Sequence, residues 1–352
     1  MRTKISVSVL AFCAAVIGPV PAAAWDYPGH RIVGAIADLV LQQHYPATQK
    51  RVSDLLETKL PNGLFQRRSL REVAVFPDCA KKNNEPYCGR PPSDEEKDYA
   101  SRNRHHDTYH YTDVPLQQTK YAAGTAGTED TDVVQMIGYS AAQLSGKTPT
   151  KTDVKLTDTE AVWLLAHLVG DIHQPLHVGA KYFDQSCETS VDPNVVGGGP
   201  PKFGIGTTVM PTVGGNLIHL VAPAPAVPVA LNLHFYWDGP SVFAAMRTAG
   251  LAGPEQDFAK LLATAPPAGW ESVGPPQNWA AQWATEILPL AREAHDRLTI
   301  RKSTKPVPFT GGCTWETALD AKYQEFAEQY ARTQLAKAGF RLAALFKAIF
   351  EP

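Results

Sequence analysis

The segment at residues 157–170, TDTEAVWLLAHLVG, constrains the fold more than any other part of the chain. Its apolar residues recur at helical spacing, which predicts an α-helix. Thr157 or Asp158 is suited to cap the N-terminus of this helix, and Glu160 stands near the third helical position, as in a capping box. A strong helix at this point favours a mainly helical fold.

Two ionisable side chains lie at the C-terminal end of this helix. His167 and Asp171 are four residues apart, so they face the same way on a helix. An imidazole and a carboxylate at this spacing can bind one metal ion. Because Pro175 breaks the helix, His177 is re-aimed and can serve a different ion.

Further histidines and aspartates occur elsewhere. Residues 232–238, NLHFYWD, repeat the spacing of four with His234 and Asp238, and residues 105–113, HHDTYHYTD, form a third cluster. Two more candidates are Asp78 and His30. A single such residue near an apolar helix face is more often a hydrogen-bonded structural residue, but the repeated pairs favour a metal site. The HExxH motif of zinc peptidases, a P-loop and a GxSxG elbow are absent from the sequence.

The first 24 residues predict a signal peptide. Arg2 and Lys4 precede an apolar stretch that runs from Ile5 to about Val20, and Ala22-Ala23-Ala24 supplies the small residues needed for cleavage. A retained lipid or membrane anchor is the alternative, but the apolar stretch is short for a membrane span. The protein is therefore expected to be periplasmic or secreted.

Removal of the signal peptide leaves four cysteines, which allow three pairings. An even number in an oxidising compartment predicts two disulfides, whereas four free thiols would suit a cytosolic protein. The shortest loop to close joins Cys79 to Cys88, which leaves Cys187 to pair with Cys313. No CxxC motif occurs, so a cysteine-based zinc site is not expected.

The mature chain is mildly acidic. Beyond residue 24 it has 31 basic and 35 acidic residues, a net charge of -4. Such a protein does not hold nucleic acid by a broad basic surface. If it acts on a polyanion, bound cations must supply much of the attraction.

The rest of the sequence predicts one mainly α domain over residues 25–352, with long functional loops. Helical spacing recurs at residues 30–43, 47–60, 129–145, 241–249, 277–298 and 315–349. Residues 76–115 are polar and predict an irregular loop. Residues 178–230 are rich in Gly and Pro and contain the β-like pieces TTVM and NLIHLV, which suggests a hairpin and loops inserted between helices.

Several long motifs resemble one family. They are WDYPGHRIVGAIA after the cleavage point, HYTDVP at 110–115, HLVGDIHQPLH at 167–177, GGN at 214–216 and NLHFYWD at 232–238. In this order they resemble the zinc-dependent, single-strand-specific nucleases, which include the fungal nucleases S-one and P-one and the plant bifunctional nucleases. The resemblance covers nearly the whole mature chain and implies the helical fold that these enzymes share with zinc phospholipases C.

The resemblance implies three zinc ions per chain. One ion of a close pair would be bound by Asp78, His110, His167 and Asp171. The other would be bound by the amine and carbonyl of Trp25, by His30 and by a shared oxygen of Asp171. The third would be bound by His177, His234 and Asp238. Nitrogen and oxygen ligands suit zinc, although the pattern alone also allows manganese or iron. His173 is expected to orient ligands through a hydrogen bond.

The same resemblance implies roles around the metal ions. Asp113 would orient the attacking water, and Lys81, or Lys82 in its place, would help to neutralise the phosphate. Tyr111 would stack a nucleobase, which is possible only when the base is outside a duplex. Gly214 and Asn216 would contact the edge of the base, beyond a Gly- and Pro-rich insertion at about 185–212.

The implied function is the cleavage of single-stranded DNA and RNA to 5′-nucleotides by a trinuclear zinc site that activates water. Activity on 3′-nucleotides is also expected, because the same phosphate site accepts mononucleotides. The protein is expected to act as a monomer without stable membrane association. The alternatives are a zinc phospholipase C and a non-catalytic zinc-binding protein of the cell envelope.

Overall fold

The helix predicted at residues 157–170 is buried within the fold and runs from Asp158 to Asp171. The Thr157 hydroxyl accepts a hydrogen bond from the Glu160 main-chain N–H, and the Glu160 carboxylate accepts one from the Thr157 N–H. This is the predicted capping box. Every residue from Glu160 to Asp171 is buried, because the helix is apolar on all sides and core surrounds it.

The computed structural model describes residues 27–59, 65–81, 88–147, 153–196, 209–221, 231–251, 253–304 and 312–351. The predicted signal peptide, Trp25 and Lys82 lie outside these residues. The helices are α1 (Tyr27–His44), α2 (Pro46–Leu55), α3 (Leu70–Val73), α4 (Phe76–Cys79), α5 (Asp94–Arg102), α6 (Val133–Leu144), α7 (Asp158–Asp171), α8 (Leu233–Asp238), α9 (Pro240–Thr248), α10 (Glu255–Leu262), α11 (Trp279–Asp296) and α12 (Ala321–Phe350).

Short strands complete the fold. They are β1 (Glu57–Lys59), β2 (Phe65–Arg67), β3 (Val114–Pro115), β4 (Gly179–Ala180), β5 (Tyr182–Asp184), β6 (Val209–Pro211), β7 (Ile218–Leu220), β8 (Arg301–Lys302) and β9 (Trp315–Thr317). Single 3-10 turns occupy His106–Thr108, Pro175–His177 and Pro276–Asn278. The predicted class, a mainly helical single domain with small β elements, is confirmed.

Close packing of α1 against α12 and α3 depends on two glycines. A Cβ at Gly339 would lie 2.5 Å from the Ile36 side chain, and one at Gly34 would lie 2.6 Å from the Leu70 carbonyl oxygen. Both distances are shorter than the non-bonded contacts that Cβ atoms make in proteins, so only glycine allows these helices to approach so closely. The resulting core is one large apolar cluster, with a small second cluster of Ala180, Tyr182 and Val209.

Strand pairing brings distant motifs together. β3 pairs in parallel with β4, with Val114 opposite Gly179, so the HYTDVP motif runs alongside the chain that follows His177. In their described residues, the two β-like pieces predicted at 178–230 do not pair with each other. β6 pairs antiparallel with β5, whereas β7 pairs in parallel with β9 near the C-terminus.

The prediction of an irregular loop over residues 76–115 was wrong in part. Residues 94–102 form α5, and Ser93 and Glu96 make a capping box at its N-terminus. The helix is strongly polar and buries only Glu96 and Tyr99, so it lacks the apolar periodicity on which the prediction relied.

Two predicted helix boundaries also differ by several residues, and one helix was missed. The second helix ends at Leu55 rather than near residue 60, because residues 57–59 pair with β2. The last helix begins at Ala321, since residues 315–317 form β9 and the Asp320 carboxylate caps the helix by accepting from the Tyr323 N–H. Residues 255–262 form α10, which was not predicted.

Two disulfides tie loops to this framework, Cys79–Cys88 and Cys187–Cys313. The first directly follows Asp78 on α4. The second joins a loop after β5 to the start of the segment that carries β9. Among the described residues, no helix is both long and apolar enough to cross a lipid bilayer.

Candidate metal centre

Eight of the nine predicted ligands converge in the interior, and the ninth, Trp25, lies outside the described residues. They form three buried groups in which the candidate ligand atoms lie within 4.8 Å of one another. The groups are His30, His167 and Asp171; Asp78, His110 and His167; and His177, His234 and Asp238. None of these side chains belongs to a residue more than 7% exposed.

Asp171 stands between the first two groups. Its Oδ1 lies 3.3 Å from the Nε2 of His30, while its Oδ2 lies 3.1 Å from the Nδ1 of His110 and 3.2 Å from the Nε2 of His167. The rings of His30 and His167 stack at a centroid distance of 3.7 Å. One carboxylate therefore faces both groups, as a residue bridging two ions must.

Helix geometry explains the pairs at a spacing of four. His167 and Asp171 share one face at the end of α7, and His234 and Asp238 share one face of α8, with 3.4 Å between His234 Nε2 and Asp238 Oδ2. His177 is the last residue of the 3-10 turn that begins at Pro175, and it points to the second pair, with its Nε2 at 3.7 Å from Asp238 Oδ1. The proline thus separates ligands of different groups.

In three of the candidate ligand histidines, a hydrogen bond fixes which ring nitrogen carries the proton. In each, Nδ1 lies at hydrogen-bond distance from a main-chain carbonyl oxygen: His167 to Ala74 at 2.6 Å, His177 to His110 at 2.8 Å and His234 to Gly214 at 2.8 Å. A carbonyl can only accept, so Nδ1 carries a proton. In the neutral ring, Nε2 then keeps its lone pair directed into the group, as a metal ligand requires.

Within the described part of the chain, several buried polar atoms of the centre have no well-aligned hydrogen-bond partner. They are both ring nitrogens of His30, Nε2 of His110, Nε2 of His177, Oδ1 of Asp171 and Oδ2 of Asp238. A buried polar atom without a partner costs about 1–3 kcal/mol, and such a concentration of them in one place is rare. Because these atoms are nitrogen or oxygen and belong to residues that converge in three groups, the residues fit bound cations such as zinc.

The electrostatics of the centre fit the same conclusion. Burial alone would raise the pKa of Asp78, but Lys81, His167 and His110 hold it below its ordinary value. Burial is likewise outweighed at Asp171, where the neighbouring histidines hold the pKa well below its ordinary value. Although burial lowers the pKa of His177, the carboxylates of Asp171 and Asp238 raise it to about 9. Ionised carboxylates that raise the pKa of a buried histidine also attract metal cations.

A cavity of about 150 Å³ opens onto the second and third groups. It is lined by Lys81, Asp107, His110, Tyr111, Asp113, Leu176, His177, Val213, Gly214, Asn216 and His234. The five residues predicted to act on the water, the phosphate or the base therefore lie in one place, at the surface of the candidate metal groups.

Asp113 is held firmly at the edge of this cavity. Its main-chain N–H donates to the Gly127 carbonyl at 2.8 Å, and its own carbonyl accepts from the Tyr182 hydroxyl at 2.7 Å. The side chain accepts from the Gly214 N–H, and burial raises its pKa to about 7, against the opposing effects of His177 and Gly214.

Residues 213–215 form an unusual left-handed turn along the cavity. Val213, Gly214 and Gly215 have φ angles of 54°, 53° and 83°. A Cβ at Gly214 would lie 2.2 Å from the Leu176 carbonyl oxygen, so that position requires glycine. A β-branched residue such as Val213 is strained in this region, and such strain is concentrated at functional sites.

The remaining predicted residues have defined partners. The Lys81 ammonium lies 2.6 Å from Asp78 Oδ1. The Asn216 amide donates to the Val213 carbonyl at 3.1 Å, which fixes the orientation of its side chain. Tyr111 is half-buried beside the cavity rather than within the core.

Comparison with known proteins agrees with this geometry. A model of the S1/P1 nuclease family matches residues 25–351. The chain belongs to the S1/P1 nuclease family. A search of curated proteins finds no match. Family membership implies a nuclease that acts on nucleic acid, and the three buried groups of this S1/P1 nuclease are consistent with a trinuclear metal site.

Sequence analysis of this S1/P1 nuclease did not identify every residue at the site. Asp107 lines the cavity, and its position in the HHDTYHYTD cluster could have identified it from the sequence. Val213 also lines the cavity, but no sequence pattern pointed to it.

The expected role of His173 is not what the structure shows. Its Nδ1 donates to the Val169 carbonyl at 2.7 Å and its Nε2 accepts from Arg341 at 3.1 Å, and neither partner is a ligand.

Proposed function

We propose that the protein is an exported zinc-dependent phosphodiesterase that cleaves single-stranded DNA and RNA to 5′-nucleotides and also removes phosphate from 3′-nucleotides. One observation carries the proposal. Three buried His and Asp groups lie together beneath a cavity whose walls hold a fixed carboxylate, an ammonium group and an aromatic ring. Membership of the S1/P1 nuclease family supports it.

Three zinc ions would be held by the three groups. Asp171 would be shared within the close pair, and the free amine and carbonyl of Trp25 would complete the ligands around His30. Neither ring nitrogen of His30 has a hydrogen-bond partner among the residues that the structure describes, which supports a further ligand at that point. Bound zinc would supply Lewis acidity, which activates water at neutral pH and neutralises charge on phosphate.

The side chains of the cavity would perform the remaining tasks. Asp113, fixed through its main chain and by Gly214, would orient the attacking water and accept its proton. Lys81 would neutralise phosphate charge that the protein, with its net negative charge, otherwise repels. Both groups are within reach of one phosphate, because they line one small cavity.

Substrate selection would depend on Tyr111. Its ring lies beside the cavity, where a base could stack on it only after leaving a duplex. Gly214 and Asn216, in and directly after the left-handed turn at residues 213–215, would contact the edge of the base. Single-strand preference then follows from geometry and does not require the protein to read a sequence.

Export and assembly belong to the same proposal. The two disulfides support an oxidising compartment, periplasmic or extracellular, as expected after removal of a signal peptide over residues 1–24. The mature domain over 25–352 would act as a monomer without stable membrane association.

The test uses the signal-cleaved protein purified with its metals. It should cleave a single-stranded oligonucleotide much faster than the same strand in a duplex, EDTA should abolish cleavage, and added Zn²⁺ should restore it. Release of phosphate from a 3′-nucleotide is measured in parallel. Cleavage that persists in EDTA, or equal rates on the duplex, contradicts the proposal. Activity on phosphatidylcholine alone would identify a phospholipase C instead, and metal binding without hydrolysis a binding protein.

A further inference from the structure

Gln174 is a fully buried polar residue between the two ligand-bearing parts of HLVGDIHQPLH. It follows Asp171 by three residues and precedes His177 by three, and its exposed fraction is 0%. A buried amide must be hydrogen-bonded, so its partners indicate what it does.

The side chain makes two hydrogen bonds in different directions. Its Oε1 accepts from the main-chain N–H of Leu176. Its Nε2 donates to Oδ1 of Asp238 at 2.7 Å, across a sequence separation of 64 residues. One amide thus connects the turn before His177 with a carboxylate on α8.

The bond to Asp238 distinguishes the two oxygens of that carboxylate. Oδ1 is occupied by Gln174, whereas Oδ2 has no hydrogen bond to any described residue and lies 3.4 Å from the Nε2 of His234. A donor on one oxygen fixes the rotation of the carboxylate and leaves the other oxygen for a cation.

The hydrogen bond from Leu176 affects a second candidate ligand of the third metal group, His177. It caps the 3-10 turn Pro175–His177, in which Pro175 itself has no N–H to donate. This turn sets the direction of His177, whose Nε2 lies 3.7 Å from Asp238 Oδ1. Gln174 therefore fixes two of the three candidate ligands of the third group relative to each other.

We propose that Gln174 is a positioning residue for the third metal ion, which acts by holding Asp238 and His177 in their binding orientation. This inference rests on the proposed trinuclear zinc site. Loss of a partner of this kind typically weakens metal binding by about 10- to 100-fold.

Two substitutions separate the two hydrogen bonds. Gln174→Leu removes both, whereas Gln174→Glu keeps an oxygen for the Leu176 N–H but replaces the donor to Asp238 with a second carboxylate. Both variants should contain two zinc ions per chain instead of three after dialysis against low zinc. The zinc concentration that half-restores nuclease activity should rise by about 10- to 100-fold, and saturating zinc should return most of the activity.

A matched control is Gln334→Leu, which changes another buried glutamine on α12, a helix that supplies none of the candidate ligands. It should keep three ions and the wild-type zinc requirement. In a His234→Ala background, which lacks a ligand of the third group, Gln174→Leu should cause no further metal loss. Loss of a second ion there would place the effect on the close pair and overturn the inference.

The outcomes distinguish the inference from the function on which it rests. Wild-type protein with fewer than three zinc ions would contradict the trinuclear site itself. Wild-type protein with three ions, together with a Gln174→Leu variant that keeps all three at wild-type affinity, would contradict the role of Gln174 alone. A variant that loses all three ions and does not respond to added zinc would show a general structural role and would also overturn it.

Discussion

Asp113 illustrates what individual residues contribute at this site. It belongs to none of the three metal groups, yet it is buried at their edge and is held by Gly127, Tyr182 and Gly214. A carboxylate fixed in this way can orient a water molecule without binding metal. Its contribution to the reaction can therefore be separated from metal binding.

The Asp113→Asn variant tests that separation. The amide keeps the size of the side chain but cannot accept a proton, so turnover on single-stranded DNA should fall by about 100-fold or more. Zinc content should stay at the wild-type value. Metal analysis of the same preparation is the control, and a variant that has also lost zinc would show that Asp113 is a ligand or a structural residue.

A second prediction concerns the proposed terminal ligand. An α-amino group binds metal only when it is free and deprotonated, so protein that retains one extra residue before Trp25 should lose most of its activity and one zinc ion. The matched control carries a longer extension that ends in a protease site directly before Trp25, and cleavage after purification should restore both. Full activity of the extended protein would contradict an N-terminal ligand.

The sequence predicted the identity of the candidate ligands better than the way they are held. His and Asp side chains at a spacing of four, and the resemblance of the motifs around them, pointed to all eight described ligands. The carbonyl oxygens of Ala74, His110 and Gly214 that fix the imidazole tautomers were not predictable. Every residue has a main-chain carbonyl, so only the fold determines which ones meet a ring.

At the scale of elements, parallel pairing of β3 with β4 joins the two halves of the site. Thr112 N–H donates to the His177 carbonyl at 2.8 Å, and the Nδ1 of His177 donates to the carbonyl of His110. The loop that carries Gly127 packs against the same segment. Main-chain contacts of this kind position Asp113 more rigidly than side-chain contacts alone could.

Two glycines of that loop provide a matched pair of variants. Gly124 and Gly127 have φ angles of 82° and 80°, so alanine costs about 1 kcal/mol of backbone strain at either one. A Cβ at Gly124 meets nothing within 4 Å, whereas one at Gly127 would lie 1.9 Å from the Asp113 carbonyl oxygen. Gly127→Ala should therefore reduce the free energy of unfolding by roughly 1–3 kcal/mol more than Gly124→Ala.

The same pair has a functional readout. Gly127→Ala should also lower turnover, because Asp113 must move, while Gly124→Ala should keep wild-type kinetics. Urea unfolding and initial rates on single-stranded DNA measure the two effects. Equal losses in both variants would show that the loop does not position Asp113.

Elements were predictable where local signals were strong. The apolar run and capping box of α7 predicted that helix almost to the residue, whereas polar α5 was missed despite its own capping box. The pairing of β7 with β9 joins residues almost one hundred positions apart. Such partners are chosen by tertiary packing, which leaves no pattern in either strand.

At the scale of the whole molecule, burial determines the charge of histidines outside the centre as well. His295 on α11 is fully buried, with its Nδ1 donating to the Ala291 carbonyl at 2.8 Å and its Nε2 without a hydrogen bond to the residues that the structure describes. Burial, assisted by Lys181, lowers its pKa to about 4, although the hydrogen bond to Ala291 opposes this change. The folded protein therefore keeps His295 neutral at a pH where the unfolded chain binds a proton.

This difference predicts how stability depends on pH. Below the ordinary histidine pKa of 6.5, the unfolded state binds a proton that the folded state does not, so the free energy of unfolding falls as pH falls from about 6.5 to about 4. The contribution of His295 over that range is about 3 kcal/mol.

Urea unfolding of EDTA-treated wild type and His295→Gln at several pH values measures this contribution. The metals are removed from both proteins, so the difference between their curves of unfolding free energy against pH is the effect of His295. Between pH 6.5 and pH 4, the free energy of unfolding of the wild type should fall by about that amount more than that of His295→Gln. His105→Gln, which changes an exposed histidine, should follow the wild type. A constant difference between wild type and His295→Gln would contradict a buried neutral histidine.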